Sequence, residues 1–104
     1  MKWTVNYTNT AEQDLRCIYD YIATTLCEVD TAKNLVRQIM CKIASLDEMP
    51  NRYAMYDKEP WKNRGLRFLS VKNYAIFYLP NEETKTVYII RIMYGGRDIE
   101  KQLS

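Results

Sequence analysis

The chain contains no histidine. That excludes the commonest zinc ligand sets and any histidine general base. Acid–base chemistry in this protein falls to Lys, Arg, Tyr, Asp, Glu or backbone groups. No stretch approaches the ~20 apolar residues that a membrane helix needs. Cysteine is sparse and shows no CxxC spacing: Cys17, Cys27 and Cys41 are odd in number. Cys17 and Cys41 fall in helical stretches beside apolar positions, which predicts small buried side chains rather than a redox pair or ligand set. Repeats and low-complexity tracts are also missing. Nothing in the sequence calls for a metal or a cofactor.

What is present fits one soluble α+β domain spanning residues 1–104. Apolar content of 47% and charged content of 27% are those of a folded globular chain. Near the N-terminus Trp3, Val5 and Tyr7 alternate with polar neighbours. That is a strand pattern over Lys2–Tyr7, not a secretory leader, and it predicts a cytoplasmic protein.

Thr10 with Gln13 three residues on reads as a capping box that starts a helix. Ala11, Leu15, Ile18, Ile22 and Leu26 form its apolar stripe. "CEVD" breaks the pattern, and Asp30 reads as a second cap. Ala32, Leu35, Ile39, Ile43 and Leu46 form the next stripe, which Met49-Pro50 closes. Two amphipathic helices joined by a short turn make an antiparallel hairpin. Residues 51–64 read as a long connecting loop.

After Gly65 the period changes to two. Strands are predicted at Leu66–Val71, Tyr74–Leu79 and Thr86–Tyr94. Lys72-Asn73 is a two-residue turn and "PNEETK" a longer hairpin loop. The order is β-α-α-β-β-β, with a short helix or ordered tail at Asp98–Leu103. The helical hairpin buries its stripes on one face of a mainly antiparallel sheet, which leaves the other face for solvent or a partner. Tyr74–Leu79 is apolar throughout and belongs in the sheet's interior. In the last strand Val87, Ile89, Arg91 and Met93 share one face, and Tyr88, Ile90, Ile92 and Tyr94 the other. Arg91 inside that strand must pair with an acid such as Glu12 or Asp98, or face a cleft. Gly95-Gly96 reads as a strand exit, with Arg97-Asp98 capping the last helix.

Net charge is only +2 but is unevenly placed. Residues 1–50 carry five basic and seven acidic side chains, residues 51–72 six and two, and residues 73–104 four and four. The basic middle segment attracts phosphates or an acidic partner, or is a solvated loop. If the meander brings Arg64, Arg67 and Lys72 towards Arg91, Tyr94 and Arg97, the cluster suits a phosphodiester. Guanidinium groups bind phosphate oxygens in pairs and stabilise growing charge. A Lys or Tyr of lowered pKa would then remove a 2′-hydroxyl proton. Tyr56 and Trp61 would stack on a splayed base.

The "AEQDLRCIYDYIA" helix, the "GLRFLSVKNYAIFY" strand pair and the final "VYIIRIMYGGRDIEKQL" together resemble the RelE/ParE toxins of bacterial type II toxin–antitoxin pairs, also called plasmid stabilisation proteins. The likeness covers nearly the whole chain. It implies a cognate antitoxin whose flexible segment wraps the toxin. It also implies one of two activities. RelE-like members cut mRNA in the ribosomal A site; ParE-like members inhibit DNA gyrase without nuclease residues. "RIMYGGRD" is nearer the ParE-like ending, Arg–Ile/Val–x–His–Gly–x–Arg–Asp, with Tyr94 standing where histidine is common. For a ribonuclease the likeness marks Arg67, Arg91 and Tyr94 as catalytic, with Arg64 and Lys72 binding phosphate. For a gyrase inhibitor the same cations, with Arg97, meet protein or DNA without turnover. An inactive module that only binds antitoxin is the third reading.

Overall fold

A computed structural model of the chain describes residues 2–56 and 61–94. Its elements are β1 (Thr4–Tyr7), α1 (Asn9–Asp20), α2 (Val29–Ala44), α3 (Trp61–Arg64), β2 (Arg67–Val71), β3 (Tyr74–Asn81) and β4 (Thr86–Tyr94). The expected α+β order is present. The first strand is shorter than the alternation suggested, because pairing with β4 begins only at Thr4, opposite Thr86.

The four strands run in the order β1-β4-β3-β2. β2, β3 and β4 form the antiparallel meander, and β1 lies parallel to β4 on its outer side. Both β3 and β4 are therefore interior, which is why neither reads as alternating along its whole length. The hairpin turn at Lys72-Asn73 closes where Val71 opposes Tyr74. Lys72 adopts a left-handed φ of 55° there, the sign that a two-residue hairpin favours. In the second hairpin the Asn81 side chain accepts from the backbone N–H groups of Glu83 and Thr84, an Asx-type brace.

Thr8, not Thr10, is the cap of α1. Its hydroxyl accepts from the Ala11 N–H at 3.2 Å. The same hydroxyl donates to the Ile89 carbonyl at 2.7 Å. Thr8 thus ends β1, starts α1 and ties both to β4. Asp30 is likewise not a cap: α2 begins at Val29, and Asp30 lies in its first turn, where a carboxylate favours the helix dipole. Between the helices Tyr21–Thr25 forms a π-helical turn. One turn of wider pitch shifts the phase of the stripe. Ile22 stays buried, but Leu26 swings out to 48% exposure.

The α2 stripe is buried as the spacing predicts: Ala32, Leu35, Ile39, Ile43 and Leu46 all lie in the main core. They meet Leu69, Val71, Ile76, Tyr78, Val87, Ile89 and Ile92 on the facing side of the sheet. Leu15 and Ile18 of α1 pack against this core while only partly buried. The cysteines depart from expectation. All three are exposed, because each lies off the stripe of its helix or in the turn between helices.

The far face of the sheet is not left open. Leu66, Ala75, Phe77 and Met93 form a second buried cluster there, with Tyr56, Phe68, Leu79 and Ile90 packed against it. Phe77 is 1% exposed. Tyr56 meets Phe77 edge-on at 5.6 Å, a favoured aromatic geometry. Part of the supposed loop supports this cluster: Met55 bridges to Arg67, and the Tyr56 N–H donates to the Leu66 carbonyl at 2.8 Å. The segment 54–56 so covers the outer edge of β2 at its start.

Ile39→Ala removes a fully buried side chain from the main core. Urea unfolding should show a loss of about 2–5 kcal/mol, whereas Leu26→Ala should stay within about 0.5 kcal/mol. Tyr78 offers a pH test. It is fully buried, and its hydroxyl donates to the Pro50 carbonyl at 2.6 Å. Burial pushes this phenol up to about 12 from its ordinary 10.0, against the opposing pull of Arg67. The neutral phenol's contribution is therefore complete below pH 10 and lost as pH rises towards 12. Unfolding measured across that window should lose about 2–3 kcal/mol more in the parent than in Tyr78→Phe. Tyr7, also raised by burial, adds to the slope in both proteins.

Candidate functional site

The residues singled out in the sequence come from β2, β4, the α3 segment and the β2–β3 turn. β4 carries the informative feature. Phe77 opposes Arg91, and Tyr78 opposes Ile89, so Ile90 is one extra residue on β4, a β-bulge. Opposed residues in an antiparallel pair share a face. Before the bulge Val87 and Ile89 point to the helices. After it Ile92 does so, and Met93 joins the far cluster. The strict alternation expected over Thr86–Tyr94 breaks at this point. Val87 and Ile89 do not share a face with Met93.

Arg91 is held by Asp14 of α1, rather than by Glu12, and its Nε lies 2.7 Å from Asp14 Oδ2. A second bond runs from an Arg91 terminal nitrogen to Asp14 Oδ1 at 3.1 Å. Asp14 also accepts from the Ile92 N–H at 3.0 Å. The two side chains are 24% and 16% exposed, so the pair is shielded from water on most sides. A two-pronged guanidinium–carboxylate contact of this kind is geometrically strict. Asp98 lies outside the described residues.

Arg67 opposes Tyr78, whose ring is in the main core, and Arg91 opposes Phe77, whose ring is in the far cluster. The Arg67 guanidinium is held at the Tyr53 carbonyl and the Arg91 guanidinium at Asp14 of α1, so each is tied to a different partner. Arg67 is half-buried and donates to the Tyr53 carbonyl at 2.7 Å, so it fastens the 50–56 segment to β2.

Tyr94 ends β4 with 46% exposure, and its ring meets Tyr74 edge-on at 5.6 Å. Opposite Tyr74, it stands on the helix side, away from Met93. Arg64 is exposed in α3, and Lys72 is exposed at the hairpin tip. Tyr56, expected to be open for base stacking, is packed in the far cluster. Gly95, Gly96, Arg97 and the tail expected at Asp98–Leu103 lie outside the described residues, as does the side chain of Trp61. Among the described residues no group of His, Cys, Asp or Glu is placed to hold a metal ion.

Asp14 was not foreseen, although the sequence holds a signal for it. It occupies the i+3 position of the α1 stripe that begins at Ala11, where an apolar residue belongs. An acid on a buried stripe and an arginine inside an apolar strand are natural partners. Arg37 and Lys42 were also passed over, because α2 was read only for its apolar side.

A groove between the outer sides of α1 and α2 is lined by Tyr7, Leu15, Tyr19, Val36 and Met40, with Glu12 and Arg16 at its rim. A second groove runs between α2 and the start of the 50–53 segment.

The model of the family described as "ParE toxin of type II toxin-antitoxin system, parDE" matches residues 5–99. Among curated proteins none matches the chain. Among solved structures, the chromosomal ParDE system from P. aeruginosa is similar at 24% identity and TM-score 0.72, over 89% of this chain and 96% of that one. The RelBE2 toxin–antitoxin complex from Mycobacterium tuberculosis has 21% identity and TM-score 0.63, over 90% and 99%. The isolated E. coli RelE toxin has 14% identity and TM-score 0.62, over 97% and 93%. At these identities the structures bear on the fold. The family model spans nearly the whole chain, from β1 past the end of β4, and the chain belongs to the ParE toxin family of type II toxin–antitoxin systems.

Proposed function

We propose that this toxin arrests growth in the bacterial cytoplasm by inhibiting DNA gyrase, and that a cognate antitoxin neutralises it. The observation that carries the choice of target is the Arg91–Asp14 fork. The charge a ribonuclease would place at its centre is committed to holding α1 against β4. Arg67 is likewise engaged, by the Tyr53 carbonyl, which supports a reading that needs no arginine pair on one phosphate. Inhibition without turnover needs only a surface, and the exposed cations Arg64 and Lys72, with Arg97, supply contacts for it. The antitoxin reading rests on family membership and on the apolar groove between the helices, whose shape suits an amphipathic helix from a partner.

Induction of the chain alone should stop growth, raise the DNA damage response and leave ribosome-bound mRNA intact. The purified protein should inhibit gyrase supercoiling. Co-expression of the antitoxin should restore growth. Cuts in ribosome-bound mRNA would instead establish the endoribonuclease reading, and unimpaired growth the inactive binding module. The double change Arg67→Ala with Tyr94→Ala should leave the arrest in place if the product is folded by circular dichroism. Its loss in a folded variant would return Arg67, Arg91 and Tyr94 to a catalytic role. Asp14→Ala, which leaves the half-buried Arg91 without its carboxylate, should cost about 1–3 kcal/mol of stability in urea unfolding.

A further inference from the structure

The fold divides the basic middle segment of the sequence. Arg67 turns under the 50–53 segment, while Arg52 and Lys72 remain on the flank beside α2. There a groove of about 530 Å³ opens. Arg37, Gln38 and Lys42 of α2 form one wall, with Ser45 at its end, and Arg52 and Tyr53 form the other. Cys41 and Val71 also line the groove, and among the described residues no carboxylate does. Lys72 follows Val71 at the exposed hairpin turn. Arg52 lies across the end of α2, donating to the Ser45 hydroxyl at 3.1 Å and to the Tyr53 hydroxyl at 3.3 Å. Arg37 and Lys42 are exposed and have no ion pair or hydrogen bond from their side chains among the described residues.

We propose that this groove holds the phosphate backbone of double-stranded DNA. The argument is one of charge and donor type. Arg, Lys, Ser, Gln and Tyr are the side chains that contact phosphate oxygens in protein–DNA interfaces, and they make up both walls. Three cations, with no acid beside them in the groove among the described residues, leave a local positive field in a molecule of net charge only +2. Single strands require a free aromatic face on which bases stack. The Arg52 guanidinium already covers the Tyr53 ring, 5.0 Å from its centroid, so the groove offers no such platform. A duplex presents its phosphates outward at fixed spacing and needs none. No element of the groove enters a base-reading position, so binding is independent of sequence. The choice of DNA over double-stranded RNA rests on the gyrase reading; the groove chemistry does not.

The test uses the full chain without gyrase and a fluorescein-labelled DNA duplex of about 20 base pairs, followed by anisotropy across salt concentrations. Kd should lie in the range of about 10⁻⁴–10⁻⁶ M near physiological salt. Three phosphate contacts give a slope of log K against log salt of about −3, or about 40-fold weaker binding from 50 to 200 mM salt. Arg37→Ala and Lys42→Ala should each reduce the slope by about 1. Arg16→Ala, in the other groove, should leave it unchanged. No binding at low salt overturns the proposal, as does an unchanged slope in the Arg37→Ala, Lys42→Ala double variant. Preference for labelled polyglutamate would overturn it in favour of an acidic peptide, and preference for an RNA duplex of equal length would overturn the choice of DNA. Because gyrase is absent, DNA binding with normal supercoiling would sink the gyrase reading alone. Inhibited supercoiling without DNA binding would sink this one alone.

Discussion

The structure depends on one carboxylate. β1 has four residues and β4 has nine, so among the described residues the second half of β4 has no strand on its outer side. Backbone N–H groups along that edge need acceptors. Asp14 takes the Ile92 N–H and the Arg91 guanidinium together, next to the bulge at Ile90. Thr8 closes the gap just before it, on the Ile89 carbonyl. The first turns of α1 thus take over as the edge of the sheet where β1 stops. Without Asp14 the arginine would lose its two-pronged carboxylate contact, and α1 would lose its anchor to β4.

The bulge and this anchor together make the sheet two-sided. By shifting the alternation of β4 by one residue, Ile90 lets the strand serve the helix-facing core with Ile89 and Ile92 and the far cluster with Met93. Both faces are then closed by side chains, the far one by Tyr56, Phe68 and Phe77. A small domain gains from this, since its fraction of buried surface is low. The consequence for function is geometric: among the described residues, the surfaces open to partners include the outer side of the helical hairpin and the flank between α2 and β2.

Much of this was legible in the sequence, and for definite reasons. The α2 stripe obeys a 3.6-residue period from Ala32 to Leu46, and every member is buried. β4 begins at Thr86 and ends at Tyr94, as its run of β-branched residues and tyrosines predicts. Three features escaped because no local period carries them. The π-helical turn rotated Leu26 outward. The bulge at Ile90 exists only as a register between two strands. The cap fell on Thr8 instead of Thr10 because its hydroxyl also had to meet the Ile89 carbonyl, a contact 81 positions away. The site was least legible. Nearness of charges along residues 51–72 does not say what each will be tied to: Arg67 is held by the Tyr53 carbonyl, and Arg91, outside that segment, by Asp14.

This separation bears on how one fold serves different activities. Structures with TM-scores of 0.72 to 0.62 to this chain share its frame at 24% to 14% identity, so the frame alone does not decide the target. A cation tied inward gains a carboxylate or carbonyl and loses its reach for phosphate. In this chain Arg91 and Arg67 are tied inward, by Asp14 and by the Tyr53 carbonyl. Arg37, Lys42 and Lys72 are left outward on the α2–β2 flank. Under the proposed reading, stability and recognition draw on separate sets of charges, since the flank cations lie outside the pair that holds α1 to the sheet.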